Sequence, residues 1–210
     1  MTSVDIDLAF DFLSFATAEQ LRDFDEKNIP WLPPMRGQRS TEQAVRALRR
    51  TVESCTVLEQ RLERLAYFYC WMVPLQVLRP WTLMIVGDVF KEVWFSEATL
   101  LTRIANAIRD LGRETTFVTA ESETIVYGCV LVQDTEPRVP AHVICMCCWR
   151  SLPFMAVYAP DTKVLPLLDV ALTAVLGCDT EPLLCGLHEF LCEAYNIVCN
   201  YVERRIEQRH

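Results

Sequence analysis

At Gly112 the spacing of apolar residues changes from a period of about 3.6 to a period of about 2, and that change narrows the folds open to the chain. Downstream, "TTFVTA", "TIVYGCVLV", "HVICMCCW" and "FMAVYA" each read as a strand rich in β-branched and aromatic side chains. The segments between them, "ESE", "QDTEPRVP" and "RSLP", are too short for the crossovers that parallel strands require. Strands joined in this way predict an antiparallel meander.

Helical periodicity dominates on either side of this block. Residues 1–79 read as a helical module. Thr17 to Gln20 and Ser40 to Gln43 both have capping-box spacing, and Val45, Leu48, Val52 and Cys55 fall on one face of the helix that Ser40 opens. Thr56 to Glu59 offers a second cap, after which Leu58, Leu62, Leu65 and Tyr69 continue the apolar stripe. Residues 80–95 fit either a strand or a buried helix. Ser96 starts a helix with Leu100, Leu101, Ile104, Ile108 and Leu111 inward, ended by Gly112. After the meander a helix is expected near Lys163–Gly177, with Leu165, Leu168, Leu172 and Val175 inward. Another is expected from about Glu181 to the C-terminus, with Leu184, Leu187, Leu191, Ala194, Val198 and Val202 on one side. The predicted class is α+β: a helical module at 1–79, then an antiparallel sheet with flanking helices at 80–210.

The most conspicuous composition is sulfur. The chain has ten cysteines, three of them within "CMCC" at 145–148. A structural zinc site takes cysteine pairs spaced on a turn, whereas alternation along a strand sends Cys145 and Cys147 to one face and Met146 and Cys148 to the other. Cys185, His188, Cys192 and Cys199 share a stripe if the last helix spans them, but that stripe borders the core face. Core thiols and a satisfied histidine are expected in both places, with no metal and no cofactor. No apolar run reaches the roughly 18 residues of a membrane span, because Gly87 and Asp88 break "WTLMIVGDVF". The N-terminus carries acid where a secretory signal carries Lys or Arg. The chain therefore reads as soluble and intracellular, where thiols stay reduced.

The sequence has no phosphate-binding loop, no G-x-G-x-x-G and no nucleophile elbow, and its histidines are His142, His188 and His210. An enzyme is not expected; a binding protein is. Net charge is −8, with seven acids against two bases in residues 1–30, but residues 31–65 hold seven arginines against four acids. Candidate contact residues are Trp31, Arg36 and Arg39 on the Pro-rich loop "NIPWLPPMRGQRS", where Leu32 and Met35 add apolar surface, and Arg46, Arg49 and Arg50 on the helix that follows. Two readings stay open: this surface touches protein or DNA, or Trp31 and Leu32 fold back on the helices.

The run "TFVTAESETIVYGCVLV", a loop, "VPAHVICMCCWRSLPFMAVYA", then "LPLLDVALTAVLG" and "LLCGLHEFLCEAYNIV" resembles the central part of the centromere protein N family of inner-kinetochore subunits. "FDFLSFATAEQLRDF" is similar to that family's W-D-F-L-S segment, which lies in a pyrin-like helical module. The resemblance implies a non-enzymatic adaptor in the nucleus, at the centromere and kinetochore. Such an adaptor contacts other kinetochore proteins, with a centromere protein L-like subunit as partner, and the nucleosome and its DNA. The chain departs from the family pattern in beginning close to "FDFLS", in being acidic, and in ending at His210 ahead of the family's C-terminal β-rich region. A fragment or a divergent member is expected on that basis. The alternative expectation is an intracellular scaffold, viral origin included, unrelated to centromeres.

Overall fold

A computed structural model describes residues 2–27, 29–86, 96–134, 136, 139–177 and 187–208. The N-terminal helices are α1 (Ser3–Leu13), α2 (Ala18–Arg22), α3 (Thr41–Glu53) and α4 (Leu58–Leu75), with a 3-10 turn at Asp23–Lys27. Their starts are set locally. Gln20 N–H donates to Thr17 Oγ1 (3.2 Å) while Thr17 N–H donates to Gln20 Oε1 (2.8 Å), the reciprocal box the spacing predicted. Ser40 Oγ accepts from Gln43 N–H at 3.3 Å and opens α3.

The division between α3 and α4 has a different cause from the one expected. Thr56 does not cap α4; Val57 holds that position with no side-chain bond. Instead, arginines on α4 satisfy carbonyls at the end of α3: Arg61 Nε donates to Cys55 C=O at 2.9 Å, and Arg64 donates to Thr51 C=O. Leu58, placed on the inward stripe by its spacing, is 49% exposed on the first turn of α4, where it lines an open hollow with Leu62, Thr115 and Thr116. From Leu65 to Val73 only Tyr67 is not fully buried, as a helix pressed between other helices and a sheet requires.

The remaining elements are β1 (Trp81–Ile85), α5 (Glu97–Asp110), β2 (Thr115–Glu121), β3 (Ile125–Val132), β4 (His142–Trp149), β5 (Phe154–Tyr158), α6 (Leu165–Leu176), β6 (Leu187–His188) and α7 (Leu191–Glu207). The strands form one antiparallel sheet in the order β2-β3-β4-β5-β1-β6. The meander expected from the short turns is therefore present, and the fold is α+β. The ambiguous stretch 80–95 resolves at its start into strand β1, paired with β5; residues 87–95 lie outside the described residues.

Two expectations for the C-terminal third are corrected. Leu187 and His188 do not begin the last helix; they pair with Thr82 and Trp81 and extend the sheet. The helix starts only after them, because Glu193 Oε2 accepts the N–H groups of Glu189 (3.1 Å) and Phe190 (3.3 Å) and caps α7 there. Leu187 is accordingly 69% exposed, while Leu191, Ala194 and Val198 are buried as expected. Leu184 lies outside the described residues. On α6, Leu165 is 40% exposed rather than inward, since it sits at the first helical position over solvent; Leu168 and Leu172 are buried.

Helices cover both faces of the sheet. α1, α4 and α7 pack on one face with Cys129, Cys145, Cys147, Phe154 and Tyr158, and α3 joins the same core through α1 and α4; α5 and α6 pack on the other with Val130, Ile144, Met146, Cys148 and Met155. The helices of residues 1–79 and the sheet thus share a core. The buried carboxylate of Asp5 crosses this boundary: it accepts from Thr2 Oγ1 (3.0 Å) at the start of α1 and from the Ala141 N–H (2.7 Å) just before β4. We predict that Asp5→Ala lowers unfolding stability by about 1–3 kcal/mol by leaving the Ala141 amide without its acceptor. Urea denaturation checks this, and an unchanged midpoint contradicts it.

Candidate functional site

The arginine-bearing surface is built on the proline loop and α3. The Asp25 carboxylate accepts the backbone N–H groups of Met35 (2.6 Å) and Arg36 (2.9 Å), which pins the loop against the 3-10 turn. Met35, expected to add exposed apolar surface, is instead fully buried, because that tether turns its side chain into the helical core. Trp31 is half-buried against α4, with ring centroids 5.9 Å from Tyr67, 5.7 Å from Phe68 and 6.1 Å from Trp71, and the Arg64 guanidinium 5.2 Å above its ring. Of the two readings of Trp31, folding back is the arrangement found.

What the loop leaves open is a hollow of about 310 Å3 lined by Phe24, Asp25, Ile29, Pro30, Leu32, Pro33 and Pro34. Phe24 and Asp25 went unnoticed in the sequence: Asp25 meets the loop ten residues later in the chain, and no local pattern signals that meeting.

The arginines differ in how much charge they have to offer. Arg46 is paired with Glu42 one turn back. Arg49 bridges Asp7 on α1 (2.5 Å) and Glu53 (2.6 Å), and these two, Glu53 first, raise its pKa further. Arg36 lies 3.8 Å from Asp25 with its side chain 86% exposed, and Arg39 and Arg50 are exposed with no acidic partner among the described residues. Of the six candidates, Trp31 is packed on α4 and Arg49 is bridged twice, Arg46 and Arg36 are exposed with one acidic neighbour each, and Arg39 and Arg50 are exposed with none among the described residues.

The thiols of β3 and β4 are enclosed. Cys129, Cys145, Cys147 and Cys148 are at most 1% exposed. Burial pushes the Cys148 thiol from 9.0 up to about 12, and burial followed by the hydrogen bond with Cys145 raises Cys129 well above its usual value. Cys129, Cys147 and Cys148 therefore stay protonated and are poor nucleophiles or ligands. The tyrosine hydroxyls of Tyr69 and Tyr158 lie in the same core without hydrogen-bond partners among the described residues.

His142 is likewise used for position. Its Nδ1 is 2.8 Å from Asp161 Oδ2 and its Nε2 is 3.4 Å from Asp134 Oδ2, so both ring nitrogens are engaged. Asp161 in turn accepts the Lys163 N–H, which, ahead of His142, lowers its pKa. The expected stripe of Cys185, His188, Cys192 and Cys199 does not form as one helical face. His188 is in β6, Cys192 and Cys199 are on α7, and Cys185 and His210 lie outside the described residues. Among the described residues no group of three or more potential ligands is placed to hold a metal ion. No described helix is long and apolar enough to cross a membrane.

Compared with protein-family models and with curated proteins, the chain matches none.

The burial pattern makes a prediction about alkylation. In native buffer a maleimide modifies Cys192 readily, and modifies Cys129, Cys145, Cys147 and Cys148 only at the rate of unfolding, as read by peptide mass spectrometry. The raised thiol pKa values also give a sign for pH. Their stabilisation is complete below the unfolded-state value near 9.0 and is lost as pH climbs from there toward 12, because the unfolded chain releases those protons first. Rapid native labelling of a strand cysteine contradicts the assignment.

Proposed function

We propose that this chain is a non-enzymatic adaptor, which binds partner proteins through the proline-loop hollow and the solvent-facing arginines Arg36, Arg39 and Arg50. One observation carries the reading. The strand thiols Cys129, Cys147 and Cys148 are held protonated by burial and His142 is engaged at both nitrogens, while the proline-loop hollow and the exposed Arg36, Arg39 and Arg50 remain open to a partner. A stiff loop tied by Asp25 costs little entropy on association, which suits a contact surface.

The finer reading is an inner-kinetochore adaptor, nuclear and centromeric, with a centromere protein L-like partner. It rests on the sequence resemblance; in the fold the β2–β5 meander is followed by α6 and α7, with β6 between them. DNA contact enters this reading as a small component, because Glu42, Glu53 and Asp7 neutralise part of the arginine face. That neutralisation, with the net charge of −8, favours a second reading: a scaffold that touches protein alone and is unrelated to centromeres.

Binding to reconstituted nucleosomes, titrated across salt, tests the first reading. Three exposed arginines predict a logarithmic salt slope of about −2 to −3. Replacing Arg36, Arg39 and Arg50 together with Glu abolishes binding, while Arg46→Glu, whose guanidinium is already paired, has less than about a threefold effect. Absence of nucleosome binding at low salt, together with affinity purification that returns no kinetochore protein, moves the assignment to the scaffold.

A further inference from the structure

Cys129 on β3 and Cys145 on β4 are partners in register, and both are fully buried on the face that α4 covers. Among the described residues no other cysteine faces a cysteine across a strand pair. Tyr127 stands opposite Cys147, and Val126 opposite Cys148.

Backbone hydrogen bonds fix what kind of pair this is. Arg150 N–H donates to Thr124 C=O (3.0 Å) just beyond the end of the ladder, so Thr124 and Arg150 are a hydrogen-bonded pair. Bonding along an antiparallel ladder alternates, and Cys129 and Cys145 lie an odd number of steps further on. They are therefore a non-hydrogen-bonded pair, the position where opposite Cα atoms come to about 4.5 Å and side chains are closest. The other side of β3 agrees. Ser122 N–H donates to Ile125 C=O (2.8 Å) and Gln133 N–H to Glu114 C=O (2.9 Å), which by the same alternation gives Cys129 its backbone bonds with Val118 of β2.

A disulfide spans Cα separations of about 4.4–6.8 Å, so joining these two sulfurs asks for little movement of the main chain. The thiols already share a hydrogen bond, and Cys145 in turn donates to Tyr69 C=O at 4.0 Å. Cys70 approaches the same core from α4, where its thiol donates to Tyr127 C=O at 3.9 Å.

We propose that Cys129 and Cys145 are a site of oxidative modification, at which a disulfide closes across β3 and β4 when the chain meets a small-molecule disulfide such as oxidised glutathione. The native fold admits no such reagent, since both sulfurs lie in a sheet covered on both faces. Exchange therefore runs through an opened chain. There the Cys129 thiolate attacks one sulfur of glutathione disulfide, forming a mixed disulfide and releasing one glutathione thiolate. The Cys145 thiolate then attacks the Cys129 sulfur, and the second glutathione leaves. Two protein thiols and one glutathione disulfide become one protein disulfide and two glutathione thiols, so two electrons and two protons pass from protein to glutathione. Refolding favours this product, because the register sets the two sulfurs side by side and a close-packed core has no room for a bound glutathione. The same layers then shield the bond from reductants, and the oxidised state outlasts the exposure that made it. The proposal is independent of the adaptor reading, because it uses neither the proline loop nor the arginines.

The test holds the full chain in glutathione mixtures of rising disulfide content, with urea just below the unfolding transition to populate open forms. Remaining thiols are blocked with iodoacetamide, and peptides are mapped by mass spectrometry without reduction. The expected principal internal disulfide is Cys129–Cys145, read in the wild type and so independent of whether any variant folds. The oxidised chain is expected to have a higher urea midpoint than the reduced one, and Cys129→Ala, checked for folding by circular dichroism, to lose that gain. Dithiothreitol is expected to cleave the bond about tenfold or more slowly in native buffer than in urea. A pair that stays reduced at the most oxidising ratio overturns the proposal. So do mixed disulfides at Cys129 and Cys145 without a link between them, a principal link from either one to Cys70 or Cys147, or an oxidised midpoint at or below the reduced one.

Discussion

Burial of both faces of β3 and β4 is the constraint on which the rest of the structure depends. From Val126 to Val132 and from Val143 to Trp149 each strand residue is buried, and successive side chains enter different cores. Such strands cannot show the polar-apolar alternation of a half-solvated sheet, and they oblige the chain to supply a helical layer for each face. α4 meets this demand on one side and the α5–α6 pair on the other. Cysteine suits the positions between them, being small, apolar and tolerant of close strand-to-helix approach. The sulfur of "CMCC" is filler for two cores at once.

Charged side chains in this molecule mostly tie chain segments together. Asp5 holds the start of α1 to the approach of β4, Asp25 holds the proline loop, Arg61 and Arg64 close the end of α3, and His142 joins Asp134 to Asp161. Each of these ties satisfies a backbone group or a charge that would otherwise be left without a partner near the core. The proline-loop hollow and the exposed arginines Arg36, Arg39 and Arg50 remain open to a partner.

The elements legible in the sequence are those whose causes are local. β2 to β5 are joined by short turns, so pairing partners are neighbours in sequence; Thr17, Ser40 and Ser96 cap helices through residues three positions on. What was not legible involves partners far apart. β6 exists because Leu187 and His188 find β1 across more than a hundred residues, a pairing no window of sequence contains. Leu58, Leu111, Leu165 and Leu187 have apolar side chains in positions the periodicity placed inward, yet are 40–69% exposed. At the candidate site the loop could be read from Pro30, Pro33 and Pro34. The burial of Met35 by Asp25, and the neutralisation of Arg49 by Asp7 on another helix, could not.

The claim that a doubly buried sheet organises the molecule is tested most directly by native-state hydrogen exchange on Cys145 to Cys148, which are paired to β3 on one side and β5 on the other. With both faces covered, these amides have no local route to solvent. They should exchange only through global unfolding, with a free energy and denaturant dependence equal to those of the whole chain. Exchange of these amides through a smaller opening, at a fraction of the global free energy, would contradict the account.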